Sequence, residues 1–243
     1  MFYNTHGKEE KEIGRWYDDF AEEQEKTSVN LRHYRIMGFL INAGLKPGSR
    51  ILETGCGIGT LTGLLSRYNG KGEILAVDIS QASVEIARKR LKSARNVSFM
   101  VSDMSDFSHP GTFDFIILPD VLEHIPADQH KSLFRTLANH MHDESRILIH
   151  IPHPRAIDFI RKNSPGQLQI IDQAVEADTV MVNAYASDLE LVSYISYPLF
   201  DRENDYAVII LRKKTDVMFS PLPARTIIVR KLVARIKFIL SAL

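Results

Sequence analysis

The sequence predicts an α/β protein: a doubly wound, mainly parallel sheet with helices on both faces. Three observations carry that prediction. Strand-like and helix-like segments alternate from residue 49 to residue 152, at a pitch that implies right-handed crossovers. The runs at 74–77, 113–118 and 147–151 are largely apolar, as strands buried on both faces are. A glycine-rich turn, GCGIGT at 55–60, joins the first strand to a helix.

Residues 8–26 are charged, with Trp16, Tyr17 and Phe20 at helical spacing. Residues 30–44 read as an amphipathic helix, stopped by Gly44 and the KPGS run. SRILET (49–54) is a short apolar strand, GTLTGLLSRY (59–68) a helix and GEILAVDI (72–79) a strand. Ser80 suits the N-cap of a helix over 80–94, because its hydroxyl accepts a free backbone N–H. VSFMVSD (97–103) and FDFIILPDVL (113–122) are strands, ADQHKSLFRTLANHM (127–141) a helix and SRILIHIP (145–152) a strand. Beyond residue 155 the pattern loosens, with some helix expected before 190. ELVSYISYPL and DYAVIILRKK read as two more strands; the short polar turn FDREND between them predicts an antiparallel pair at the sheet edge. The expected division is an N-terminal helical lid over 1–44, a ligand-binding domain over 45–215, and a linker with a C-terminal helix over 216–243.

Composition narrows the class. The 30 basic and 30 acidic residues cancel, without the basic excess of a general nucleic-acid binder. A single cysteine, Cys56, excludes an intramolecular disulfide and a cysteine zinc cage. The polar N-terminus lacks the apolar core of a signal peptide, and no run of about 18 uncharged apolar residues occurs. The expectation is a cytoplasmic protein.

The glycine turn sets backbone N–H groups and a helix N-terminus against a ligand. A P-loop would end in Gly-Lys-Ser/Thr, whereas Gly59 is followed by Thr60 and Leu61. A dinucleotide fingerprint would place its third glycine where Thr60 stands. Glu53, just before the glycines, would repel a pyrophosphate but welcome an ammonium and a sulfonium. S-adenosylmethionine carries both. Asp78, at the end of the second strand, can accept hydrogen bonds from ribose hydroxyls. Asp103 ends the third strand, where a carboxylate can accept from an adenine amino group, and Asp120 ends the fourth. The four acids lie on one sheet edge, where open α/β folds bind ligands.

LETGCGIGTLT, LAVDIS, VSDMSDF and FDFIILPDVLEHI together resemble the successive motifs of class I S-adenosylmethionine-dependent methyltransferases, over roughly residues 45–151. The resemblance implies a seven-stranded, Rossmann-like sheet with an antiparallel last strand. It also implies that Glu53, Gly55 and Gly57 face the methionine portion, that Asp78 and the adjoining Ile79 meet the ribose, and that Asp103 and Met104 meet adenine. Asp120 is grouped with these cofactor residues. WYDDFAEE is similar to the lid segment of small-molecule members, which puts Tyr17 near the cofactor.

Methyl transfer to a hydroxyl needs alignment, exclusion of water and removal of a proton. Histidine suits the last task near neutral pH. Of nine histidines, His124 after the fourth strand and His153 after the fifth are the candidate bases. Cys56 reads as a small packed residue rather than a nucleophile, and no histidine pair has the spacing or third ligand of a metal site. The expected acceptor is a glycan, a lipid-linked compound or another small molecule, methylated on oxygen. Transfer to nitrogen or carbon, a quinone precursor as acceptor, and a non-catalytic cofactor-binding module are the alternatives.

On a helix over 224–243, Ile228, Val229, Leu232, Val233, Ile236, Ile239, Leu240 and Leu243 share one broad face, and Arg230, Lys231, Arg235 and Lys237 the other. With no acid present, this reads as a helix on an anionic membrane surface, or as one packed on the domain or in a homodimer.

Overall fold

The computed structural model describes residues 16–18, 28–216 and 218–241. In chain order the elements are α1 (Leu31–Asn42), β1 (Arg50–Thr54), α2 (Thr60–Tyr68), β2 (Glu73–Asp78), α3 (Gln81–Arg90), β3 (Val97–Val101) and β4 (Phe113–Pro119). There follow α4 (His130–Asn139), β5 (Met141–Pro152), α5 (Pro154–Asn163), α6 (Ala177–Tyr185), β6 (Leu189–Tyr197), β7 (Tyr206–Lys213) and α7 (Ala224–Ser241). Single 3-10 turns lie at Leu122–His124 and Pro165–Gln167.

The strands form one seven-stranded sheet in the order β3-β2-β1-β4-β5-β7-β6. The first five run parallel, and β7 is antiparallel to both β5 and β6. The mainly parallel sheet with an antiparallel last strand is therefore present. β7 inserts between β5 and β6, which leaves β6 at the edge.

Alternation along each strand divides the core. Leu52, Leu75, Ile116, Leu118, Ile147 and Ile149 pack with α4 and α6 through Phe134, Leu137, Val180 and Ala184. Their neighbours Ile51, Ile74, Phe115, Ile117 and Leu148 pack on the other face with Ile36 and Leu40 of α1 and Leu61 and Leu65 of α2. Residues 31–42 of the expected lid region thus belong to the core of the sheet. Residues 1–15 and 19–27 of that region lie outside the described residues. The helix start is fixed by a capping box: Asn30 Oδ1 accepts the Arg32 N–H at 3.1 Å, and His33 Nδ1 accepts the Asn30 N–H at 3.1 Å.

Several boundaries differ from the sequence reading, two of them for visible reasons. β5 begins at Met141, because Met141 pairs with Phe113 across an irregularity and the Ser145 hydroxyl donates to the Phe113 carbonyl at 2.6 Å. β4 stops at Pro119, because Asp120 turns the chain with φ +55°.

Candidate functional site

β1 and β4 are neighbours whose chains depart to opposite sides, β1 toward β2 and β4 toward β5. A crevice opens at their C-terminal ends, as it does wherever the winding of such a sheet reverses. Here it is a cavity of about 370 Å³, lined by the glycine turn, the ends of β2, β3 and β4, and residues of α1.

Gly55, Gly57 and Gly59 all have positive φ, at +64°, +51° and +79°. The turn is tied to β2 twice: the Cys56 N–H donates to Val77 O at 3.0 Å and the Gly57 N–H to Asp78 Oδ2 at 2.7 Å. Gly59 caps α2 without a side-chain acceptor, so the helix start is left open toward the cavity. A Cβ on Gly55 would overlap Val121 Cγ2, which packs directly over the turn. Gly55→Ala is expected to destabilise the fold by about 2 kcal/mol or more, from clash and left-handed strain together. Adding Val121→Ala should recover the clash and leave only the strain. Thermal denaturation of the single and double variants measures both.

Glu53 sits at the base of this turn, fully buried, and both its carboxylate oxygens lack a hydrogen-bond partner among the described residues. Burial, opposed by the nearby Thr62 hydroxyl and reinforced by the charge of Asp78, pushes its acid up to about 8. Asp78 is also raised by burial, although it accepts N–H bonds from Gly57 and from Ser80 at 2.9 Å. Two buried acids beside the turn suit a ligand group that carries positive charge. Cys56 is buried in the turn, and burial pushes its thiol up, which keeps it an unreactive packed residue.

The opposite wall is a charged network. Asp120 Oδ2 lies 2.6 Å from Arg32 Nη1, and Oδ1 lies 2.9 Å from His150 Nδ1. A carboxylate only accepts, so Nδ1 carries the proton, and Nε2 of a neutral ring then accepts from the Tyr197 hydroxyl at 2.7 Å. The Tyr206 ring stacks on His150 at 4.8 Å. Burial alone would raise the Asp120 acid, but Arg32 and His150 outweigh it and hold it below the carboxylate range. Burial and the Arg32 charge push His33 down to about 4, so it lines the wall as a neutral ring.

His124 also lines the cavity. Its Nδ1 donates to the Ile171 carbonyl at 2.6 Å and lies 3.2 Å from Asp172. Burial opposes its charged form, but Glu123 and Asp172 outweigh burial and raise its pKa. Gln173 binds the same turn, through its N–H to Glu123 O at 3.0 Å and its side chain to Ile125 O at 2.6 Å. Tyr17 closes the cavity from above, its ring centroid 6.2 Å from that of His124 in an edge-on arrangement. Asp18 beside it accepts from the Ser80 hydroxyl at 2.6 Å and the Ala82 N–H at 3.1 Å.

Residues 51–144 match the family model described as a methyltransferase domain. Over those residues, somewhat under half of its length, the chain is similar to a methyltransferase domain. A ubiquinone biosynthesis O-methyltransferase of Xanthomonas campestris pv. campestris is 31% identical over 115 residues, 46% of each chain. A malonyl-[acyl-carrier protein] O-methyltransferase of Bacillus anthracis is 29% identical over 125 residues, 51% of this chain and 44% of that one. The aligned part spans about half the length of these relatives. Magnesium protoporphyrin IX methyltransferase from Synechocystis shares the fold with a TM-score of 0.66 at 16% identity, over 84% of this chain and 99% of that one.

The chain gathers most of the residues singled out in its sequence around one cavity: Glu53, Gly55, Gly57, Asp78, Ile79, Asp103, Met104, Asp120, His124 and Tyr17 all line it. Met104 is buried with φ +70°, and Asp103 is exposed, accepting from the Ser105 N–H and hydroxyl at 2.8 and 2.7 Å. Three of the singled-out residues sit in surroundings that the sequence did not indicate. His153 is not in the lining; it is the N-cap of α5, its Nδ1 accepting from the Arg155 N–H at 3.3 Å ahead of Pro154. His124 is held by the Ile171 carbonyl and Asp172 in the turn after β4. Asp120 has both oxygens engaged by Arg32 and His150 and belongs to the wall facing α1. Sequence reasoning did not find Arg32, His150, Tyr197 and Tyr206. The one local signal was a histidine inside an otherwise apolar strand, ILIHIP.

Proposed function

We propose that the domain binds S-adenosylmethionine in this cavity and transfers its methyl group to an oxygen of a small-molecule acceptor, a glycan, a lipid-linked compound or another small molecule, on the cytoplasmic side. The observation that carries this reading is Glu53: a fully buried carboxyl with both oxygens unpartnered, beside a second buried acid, fits an ammonium-bearing ligand. The names of the two curated relatives support oxygen as the atom methylated.

When bound, S-adenosylmethionine would supply a methyl carbon on a sulfonium: a C–O bond to the acceptor would form as the C–S bond breaks, S-adenosylhomocysteine would leave, and the hydroxyl proton would pass to the Asp120 carboxylate. Glu53 and the uncapped start of α2 after the glycine turn would hold the methionine portion. Asp78 keeps free lone pairs for ribose hydroxyls, next to Ile79. Asp103 and Met104 border the adenine end, and Tyr17 covers the site against water. Asp120 follows the strand whose next residue, Val121, packs on Gly55, so its carboxylate stands beside the methionine end of the cavity. It is placed to accept the hydrogen bond of an acceptor hydroxyl and orient its oxygen. Arg32 and His150 are positioning residues: they keep Asp120 ionised and fix its rotamer. His124 anchors the turn after β4 to the segment at 171–173.

Isothermal titration with S-adenosylmethionine, followed by a labelled-methyl screen over sugars, nucleotide sugars, lipids and phenols, tests the reading. Binding with a Kd in the micromolar range and label transfer to a hydroxyl compound are expected. No binding overturns the cofactor assignment. Binding without transfer to any acceptor favours a cofactor-binding module, and label on nitrogen or carbon overturns the choice of oxygen.

A further inference from the structure

The C-terminal helix α7 is the largest feature the cavity does not use. It has 18 residues, so its axis runs roughly 27 Å. Among the described residues none of its side chains joins the core: Ile227, Ile228, Val229, Leu232, Val233, Ile236 and Ile239 are 46–66% exposed, and Phe238 72%. Met218 and Phe219, in the proline-containing segment before it, are each 96% exposed. A contiguous apolar surface of this kind marks an interaction site.

Charge identifies the partner. From residue 217 onward there are five basic residues, Arg225, Arg230, Lys231, Arg235 and Lys237, and no acid. The tail thus takes +5 of a net-neutral chain and leaves −5 on residues 1–216. At 100° per residue, Ile228, Val229, Leu232, Val233, Ile236 and Ile239 fall within an arc of about 140°. Lys231 and Arg235 border that arc on one side and Arg230 stands beyond it on the other, where lipid phosphates would lie on either flank of a helix sunk to its midline. Arg225 enters the apolar arc only in the first turn, within reach of the interface. Ile227 and Phe238 lie on the far side among the cations and interrupt the polar face. No described helix is long and apolar enough to cross a membrane, and α7 with its cations suits lying in the plane of one.

We propose that α7, with Met218 and Phe219 ahead of it, docks the domain on an anionic lipid bilayer. The acidic body is repelled by such a surface, so the helix alone supplies the attachment. An amphiphilic acceptor would then reach the cavity from the membrane.

Vesicle co-sedimentation of the full chain tests this. Binding to phosphatidylcholine vesicles containing phosphatidylglycerol is expected to be at least about 10-fold stronger than to phosphatidylcholine alone, and to fall by a similar factor in half-molar salt. Leu232→Asp with Ile236→Asp should abolish binding, while the melting temperature and the S-adenosylmethionine titration stay unchanged, because neither residue touches the core or the cavity. Equal pelleting with and without vesicles, or unchanged binding of the double variant, overturns the proposal. A chain that ignores vesicles and elutes as a dimer, and becomes monomeric with the same two substitutions, assigns the face to a second copy and also overturns it. None of these outcomes depends on whether the cofactor assignment holds.

Discussion

Glu53→Gln is expected to weaken S-adenosylmethionine binding by about 100-fold or more and, at the same time, to stabilise the ligand-free domain. Removing the anion from a buried ammonium–carboxylate pair costs about 2–5 kcal/mol, because the cation is left buried without its partner. The stabilisation has the opposite origin. In the free domain burial holds the Glu53 acid near 8, whereas its ordinary value is 4.5. Between those two values the folded chain binds more protons than the unfolded one, so this residue makes stability fall as pH rises. Glutamine removes that loss. The gain in melting temperature should be absent at pH 4.5, grow through neutrality and level off above pH 8. At about 1.4 kcal/mol per pKa unit, the rise from 4.5 to about 8 sets a plateau on the order of a few kcal/mol. Affinity carries the same signature with reversed sign. A cation binds the ionised form, so wild-type affinity should rise with pH up to about 8, with proton release, while the variant stays flat. Titration calorimetry in buffers of differing ionisation enthalpy counts that proton. Equal affinities of the two proteins at pH 8 would remove Glu53 from the cofactor site.

The same residue shows why this end of the site could be read from the sequence. Glu53, Gly55, Gly57 and Asp78 act through local chemistry: a strand end, a turn that needs positive φ, a carboxylate one strand away. Strand periodicity then places Asp78 and Asp103 along the same edge as Glu53. The opposite wall has no local signature. Arg32 comes from α1, Asp120 from the end of β4, His150 from β5 and Tyr197 from β6, and only the sheet order β4-β5-β7-β6 brings three of them together. Strand parity carried part of the information: His150 lies two residues from Leu148, which packs on the face that α1 covers. His153 stands before Pro154 at the first position of a helix, which is an N-cap signature rather than a catalytic one. The composition of α7 was visible from the start, but its lack of a place in the core is a property of packing alone.

Asp120→Ala is expected to be the most damaging change to stability in the site, by about 2–4 kcal/mol. Three costs add. Arg32, partly buried at 32% exposure, loses its carboxylate; the fully buried His150 Nδ1 loses its acceptor; and alanine must take φ +55° without the side-chain hydrogen bonds that fix aspartate there. Asp120→Gly relieves only the last and should recover about 1 kcal/mol. Arg32→Leu combined with Asp120→Ala removes the orphaned cation, so denaturant unfolding of the four-protein cycle should show a coupling of about 1–3 kcal/mol. The pH dependence fixes the sign. The Asp120 acid lies below its ordinary 3.8 in the folded state, so its contribution is fully present above that value and vanishes as pH falls through the folded value. Wild type and Asp120→Ala should therefore converge in acid and differ most near neutrality. Additive effects of Arg32→Leu and Asp120→Ala would dissolve the network as an energetic unit. Asp120→Asn separates structure from chemistry. It retains one acceptor oxygen and most of the stability, and it should leave S-adenosylmethionine affinity within about 3-fold while lowering transfer to a hydroxyl acceptor by about 100-fold or more. A loss of cofactor affinity as large as the loss of transfer would return Asp120 to the cofactor side of the cavity.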